Sequence, residues 1–226
     1  MNRLNGHARH LIRRYRQDLP FQARLSLLGS TVFNLCYALF KLGFGLYYRS
    51  FWFGAIAVYY LLLAVIRAFL FGMSHRTSEN LSHEYRVARS CGWLLFALNL
   101  ALSAVTVQMV LDGKGYHYPG YLIFAAAAYA FYTATMSIVQ LVRFRKLKSP
   151  VLSASKVLNL AVALVSMLSL QTAMFASFGD GAINQRAMNA LTGGAVCVLI
   201  FILAALLVAG ANRQLSQIRG ITYGTG

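Results

Sequence analysis

The chain has 226 residues, of which 58% are hydrophobic and 12% charged, with a formal net charge of +16 at pH 7. A soluble domain carries about 25% charged and roughly 45–50% apolar residues, so this composition excludes an ordinary soluble fold and points to lipid as the solvent. Asp18, Glu79, Glu84, Asp112 and Asp180 are the whole acidic set, and all are predicted to lie outside the hydrocarbon.

Residues 1–24 form a basic arm carrying Arg3, Arg9, Arg13, Arg14, Arg16 and Arg24. The arm has no short apolar core followed by small residues, so it is not read as a cleavable signal. It is expected to stay cytoplasmic and to lie on anionic headgroups as a basic helix. Six segments follow that are long and apolar enough to span a bilayer: 25–48, 51–73, 88–111, 119–142, 151–176 and 187–211. Gly, Asp, Asn and Pro mark the turns between them, as in "DGKGYHYPG" and "SFGDGAINQRA". The apolar runs are too long for barrel strands and do not alternate with period two. The predicted fold is therefore all-α: a polytopic membrane protein of six transmembrane helices over residues 25–211, with a short cytoplasmic tail at 212–226.

The basic residues give the orientation. The arm, the second-to-third connection (Arg67, Arg76, Arg86, Arg89), the fourth-to-fifth (Arg143, Arg145, Lys146, Lys148, Lys156) and the tail (Arg213, Arg219) share one side. The other side holds Arg49, Lys114 and Arg186. The positive-inside rule places both termini in the cytoplasm, in what reads as a bacterial cytoplasmic membrane. The positive charge is thus topological, and no aromatic-basic module points to nucleic acid. Tyr47, Tyr48, Phe51, Trp52 and Phe53 cluster at one outer turn, and Tyr116, Tyr118 and Tyr121 at the next, as an interfacial belt. Cys36, Cys91 and Cys197 lie far apart and read as small packed hydrophobes. His7, His10, His75, His83 and His117 lie in arms and loops without ligand spacing.

Ionisable groups inside spans are the functional candidates. Lys41 follows Asn34 by seven residues, on one helix face. Lys41 either snorkels to the headgroups or joins a polar cavity with Asn34. Arg67 and Lys156, near the inner ends of their spans, are expected to snorkel. Tyr59, Tyr60, Tyr129 and Tyr132 lie deep in the second and fourth spans, where a buried phenol needs a hydrogen-bond partner. Ser155, Asn159 and Ser166, with Gln108, Gln140 and Gln171, suit interhelical hydrogen bonds. The candidate cavity lining is Asn34, Lys41, Tyr59, Tyr60, Ser155 and Asn159. Ser155 and Lys156 do not make a nucleophile pair, because adjacent helix positions point roughly 100° apart. No constellation of acid, base, nucleophile or metal ligand emerges, so no catalytic residue, metal or cofactor is assigned and the chain is not read as an enzyme.

Two spans share a pattern. Ser50 precedes Ala55 by five residues and Val58 follows; Ser149 precedes Ala154 by five and Val157 follows. With "LSASKVLNLAVALVS", "FNLCYALFKLGFG" and "MNALTGGAVCVLIFILAALLVAGANRQL", residues 30–67 and 149–215 resemble the cation diffusion facilitator family, six-span metal/proton antiporters. The resemblance implies transport and a homodimer. It does not bring the metal site with it. The family's paired ligands fall on Tyr59 and Leu63 in the second span and on Leu158 and Val162 in the fifth. The acid before each pair falls on Ile56 and Ser155, and Asn189 stands where the last span usually has an acid. Apolar side chains cannot replace the hydration shell of a divalent ion. The family's cytoplasmic metal-binding domain has no counterpart in residues 212–226. Two functions fit: transport of a non-metal solute, or a non-transporting scaffold that docks a membrane partner through its basic inner face. The expected partners are the lipid bilayer, anionic lipids at the inner face, and a second copy or another membrane protein.

Overall fold

The computed structural model describes residues 19–47, 51–76, 81–112, 122–143, 149–178 and 184–223. These form helices α1 (Leu19–Tyr47), α2 (Phe51–Arg76), α3 (Leu81–Asp112), α4 (Leu122–Arg143), α5 (Pro150–Phe178) and α6 (Gln185–Tyr223). The basic arm up to Asp18, with His7 and His10, and the turn after Asp112, with His117, lie outside the described residues, whereas His75 and His83, expected in loops, belong to α2 and α3.

Capping explains two of the starts. Pro150 opens α5 at a position where its missing N–H is no loss, and the Ser149 carbonyl accepts from the Ser153 amide at 3.0 Å. Asn184 caps α6: its side-chain oxygen accepts from Ala187 N at 3.3 Å and its carbonyl from Met188 N at 3.1 Å. α6 runs on past the predicted sixth span. Residues 212–223, within the expected tail, continue the same helix. "NRQLSQIR" contains no proline and several good helix formers, and Gly210 alone does not stop it. α3 likewise starts at Leu81, well before the predicted span, as a polar helical extension.

Among the described residues four helices, α3 to α6, are long and apolar enough to cross a membrane. α2 contributes a shorter apolar stretch, Gly54–Leu70. α1 is a continuous helix of 29 residues that carries Asn34 and Lys41, the residues that matter below.

Neighbouring helices run antiparallel. Arg89 lies against Asn212 and Asn99 against the Cys197 carbonyl, so α3 and α6 run in opposite directions in the most extensive pairing of the fold. Gly92 sits where they cross. A Cβ there would lie 2.5 Å from Val208 Cγ2, so only glycine allows this approach. α1 pairs with α2, and α4 with α5. α5 is the most enclosed helix, touching α2, α3, α4 and α6.

The surface is greasy and the interior partly polar. Leu, Val and Phe side chains of every helix but α5 stand exposed, while Asn34, Lys41, Arg67, Asn99, Gln140 and Asn159 are buried. Such an inversion suits lipid surroundings, where polar groups must find partners inside the bundle.

Candidate functional site

One face of α1 carries Ser30, Asn34, Tyr37 and Lys41 at intervals of four, three and four residues. That spacing lines them in a single stripe. The stripe spans roughly 16 Å at 1.5 Å rise per residue. It faces polar groups on α2, α4 and α5. No extensive backbone packing joins α1 to α4 or α5; long side chains bridge the gap instead.

At one end of the stripe lies Arg67 of α2. It is only 1% exposed. Its Nη1 donates to Ser30 Oγ at 2.6 Å and approaches the Ser30 carbonyl at 3.5 Å. Ser30 Oγ in turn lies 3.4 Å from Asn159 Oδ1 on α5. Asn159 is held from α4 as well: its amide donates to Gln140 Oε1, and its carbonyl accepts from Ser137 Oγ at 2.8 Å. Arg67 was expected to snorkel, and here the structure corrects the sequence reading. Tyr60, Leu63, Arg67 and Leu70 share the inward face of α2. The seven-residue step from Tyr60 to Arg67 was the legible signal. Proximity to the helix end masked it.

One turn along, Tyr129 of α4 donates to Asn34 Oδ1 at 2.5 Å. Thr133 Oγ1 and Ser166 Oγ, also buried, lie 2.9 Å apart. Next comes an aromatic block. The Tyr37 and Tyr129 rings stack with centroids 3.4 Å apart, and Tyr60 meets both edge-on at 5.5 and 5.8 Å. Beyond the block, Lys41 Nζ donates to Ser169 Oγ at 2.9 Å and lies 5.5 Å from the Tyr37 ring centroid. Lys41 is 3% exposed and enclosed in the bundle, but it does not line the cleft that Asn34 lines. The column thus reads cation, amides, aromatic block, cation.

The six candidate residues divide. Asn34 and Asn159 line a cleft with Ser30, Arg67, Tyr132, Thr133, Met136, Ser137, Gln140 and Val162. Its cavity volume is about 10 Å³, the room of a single water. Tyr60 and Lys41 belong to the same column but not to the cleft. Tyr59 points elsewhere, into an apolar pocket of about 70 Å³ between α2 and α3 with Ile56, Leu98 and Leu102. Its buried hydroxyl has no hydrogen-bond partner among the described residues, contrary to the expectation for a buried phenol. Ser155 is buried on α5 outside the cleft lining. Tyr132 is 40% exposed rather than deep in the interior. Cys36 is exposed, while Cys91 is buried and Cys197 half-buried. Lys156 is half-buried on α5.

The positions on which the resemblance would place metal ligands are packed. Tyr59, Leu63, Leu158 and Val162 all belong to the main apolar core, with Ile56 beside them. Among the described residues no three His, Cys, Asp or Glu side chains gather as a metal site would require. No protein-family model matches the chain, and no curated protein matches it. The resemblance to cation diffusion facilitators rests on the residues quoted above.

Proposed function

We propose that the chain is a six-span integral membrane protein, with both termini cytoplasmic, that binds and passes a non-metal solute between α1, α2, α4 and α5. The observation that carries this reading is the buried polar column. Two cationic side chains and a run of amides and hydroxyls are enclosed in a bundle whose exterior is leucine, valine and phenylalanine. Ionisable groups are expensive at membrane depth and mark solute pathways. The pairings support the topology: Ser30–Arg67 with Tyr37–Tyr60 sets α1 antiparallel to α2, Phe33–Tyr132 with Tyr37–Tyr129 antiparallel to α4, and Ser30–Asn159 with Lys41–Ser169 parallel to α5, as up-and-down passage requires. α1 and α2 complete the six spans in this reading, because Asn34 and Lys41 of α1 and Arg67 of α2 are buried while leucine, valine and phenylalanine side chains of both helices stand exposed.

The cleft of about 10 Å³ is far smaller than the roughly 300 Å³ of a small-molecule site, so this conformation is closed. Opening needs α1 to swing from α4 and α5, to which it is bound by side chains more than by backbone packing. Proteoliposomes tested against a panel of anionic, neutral and organic solutes should show saturable flux that falls on Lys41→Ala. Flux absent across the whole panel sinks the transport reading.

The same small volume favours a second reading: a non-transporting membrane subunit in which the column holds helices together. Purification from native membranes then returns a partner at fixed ratio, where the transporter returns alone or as a self-oligomer.

A further inference from the structure

We propose that the cleft at Arg67 is a binding site for a small monovalent inorganic anion, of about the size of chloride. The inference rests on the solute-binding reading above and names the class of that solute.

The first observation is charge. A guanidinium keeps its proton in proteins. Arg67 is buried, and among the described residues no carboxylate pairs with it: Glu84, the one acid with a described hydrogen bond, accepts from Ser149. A buried cation without a counter-charge is costly, so the site calls for a negative partner.

The second observation is independent. Two buried polar atoms of residues that line the cleft lack a hydrogen-bond partner among the described residues: Arg67 Nε and Asn34 Nδ2. Both are donors. The other ends of these side chains are already committed, Arg67 Nη1 to Ser30 and Asn34 Oδ1 to Tyr129. A leftover set made of donors alone demands an acceptor, and an anion is an acceptor that also answers the charge. Ser137 and Thr133 hydroxyls stand nearby. The volume sets the size. Room for about one water admits a single-atom anion and excludes phosphate, a nucleotide or a dicarboxylate.

The test uses the full chain in detergent, in sodium gluconate at constant ionic strength, with chloride exchanged for gluconate. The melting temperature should rise saturably with chloride, because a ligand bound only by the folded state stabilises it. Arg67→Met, which keeps the length and removes the charge, should abolish the response. Asn34→Ala, which keeps the guanidinium, should weaken apparent chloride affinity by about tenfold, the loss expected for one hydrogen bond to a charged group. If Arg67→Met does not fold, the Asn34→Ala comparison decides alone. A wild-type melting temperature flat in chloride overturns the proposal; so does an equal response to sulfate, or one that survives in both variants. Flux is read separately in vesicles. Chloride binding without flux of any solute upholds the site and removes the transport reading. Flux of a neutral solute with no chloride response upholds transport and overturns the anion site.

Discussion

Lys41 of α1 and Ser169 of α5 meet through a hydrogen bond of 2.9 Å, and the ammonium is enclosed rather than extended toward headgroups. Truncating one partner of such a pair should cost more than replacing both. Ser169→Ala is expected to destabilise the folded protein by about 1–3 kcal/mol, because a buried cation loses an acceptor. Adding Lys41→Met to it should recover most of that loss. Unfolding of the two single variants and the double variant in detergent checks this. Additive effects would mean that the side chains do not interact.

Tyr129 serves two neighbours at once. Its ring stacks on Tyr37 and its hydroxyl donates to Asn34. Tyr129→Phe removes only the hydroxyl and should cost about 1–3 kcal/mol, the penalty for an amide oxygen left buried and unpaired. Tyr129→Ala also empties the stack and should cost about 3–5 kcal/mol, as for other large aromatic truncations. Equal losses in the two variants would show that the ring contributes nothing beyond the hydroxyl.

The α3–α6 crossing depends on the missing side chain of Gly92. Gly92→Ala places a methyl group against Val208, a β-branched residue stiff within its helix, and should cost about 1–3 kcal/mol. Val208→Ala in the same chain should relieve most of the clash. Gly210, on α6, has nothing within 4 Å of the added carbon. Gly210→Ala should be neutral or stabilise by up to about 1 kcal/mol through helix propensity. Thermal unfolding of the three variants separates close packing from propensity.

The orientation is checked by labelling. In a cysteine-free background, Lys114→Cys should react with a membrane-impermeant maleimide on intact cells, and Lys146→Cys only after permeabilisation. The reverse pattern would refute cytoplasmic termini and with them the assignment of inner and outer ends.

The candidate site was half legible. Asn34 and Asn159 stand out because an amide within a long apolar run has no other reason to be there, and the cleft does unite them. Arg67 was misjudged because a long basic side chain near a helix end has two destinations at equal distance, and only Ser30 and the α5 amide beside it make the inward one favourable. Tyr59 and Tyr60 are adjacent in the chain, but the rotation of α2 sends one to the aromatic block and the other to an apolar pocket.

By itself, the sequence determined the elements. Long apolar runs, turn residues between them and a cap such as Asn184 are local properties, and local backbone energetics turn them into helices wherever they occur. It also determined that the chemistry would be sparse, since so few polar groups enter the spans. Only the tertiary structure decided which face of each helix turns inward and which polar groups converge. The reason is the solvent. In water an apolar stripe points to the core, but in lipid both faces of a helix are apolar and the pattern falls silent. The rotation of α2 that buries Arg67, the direction of Lys41 and the exposure of Tyr132 follow from partner helices distant in the chain.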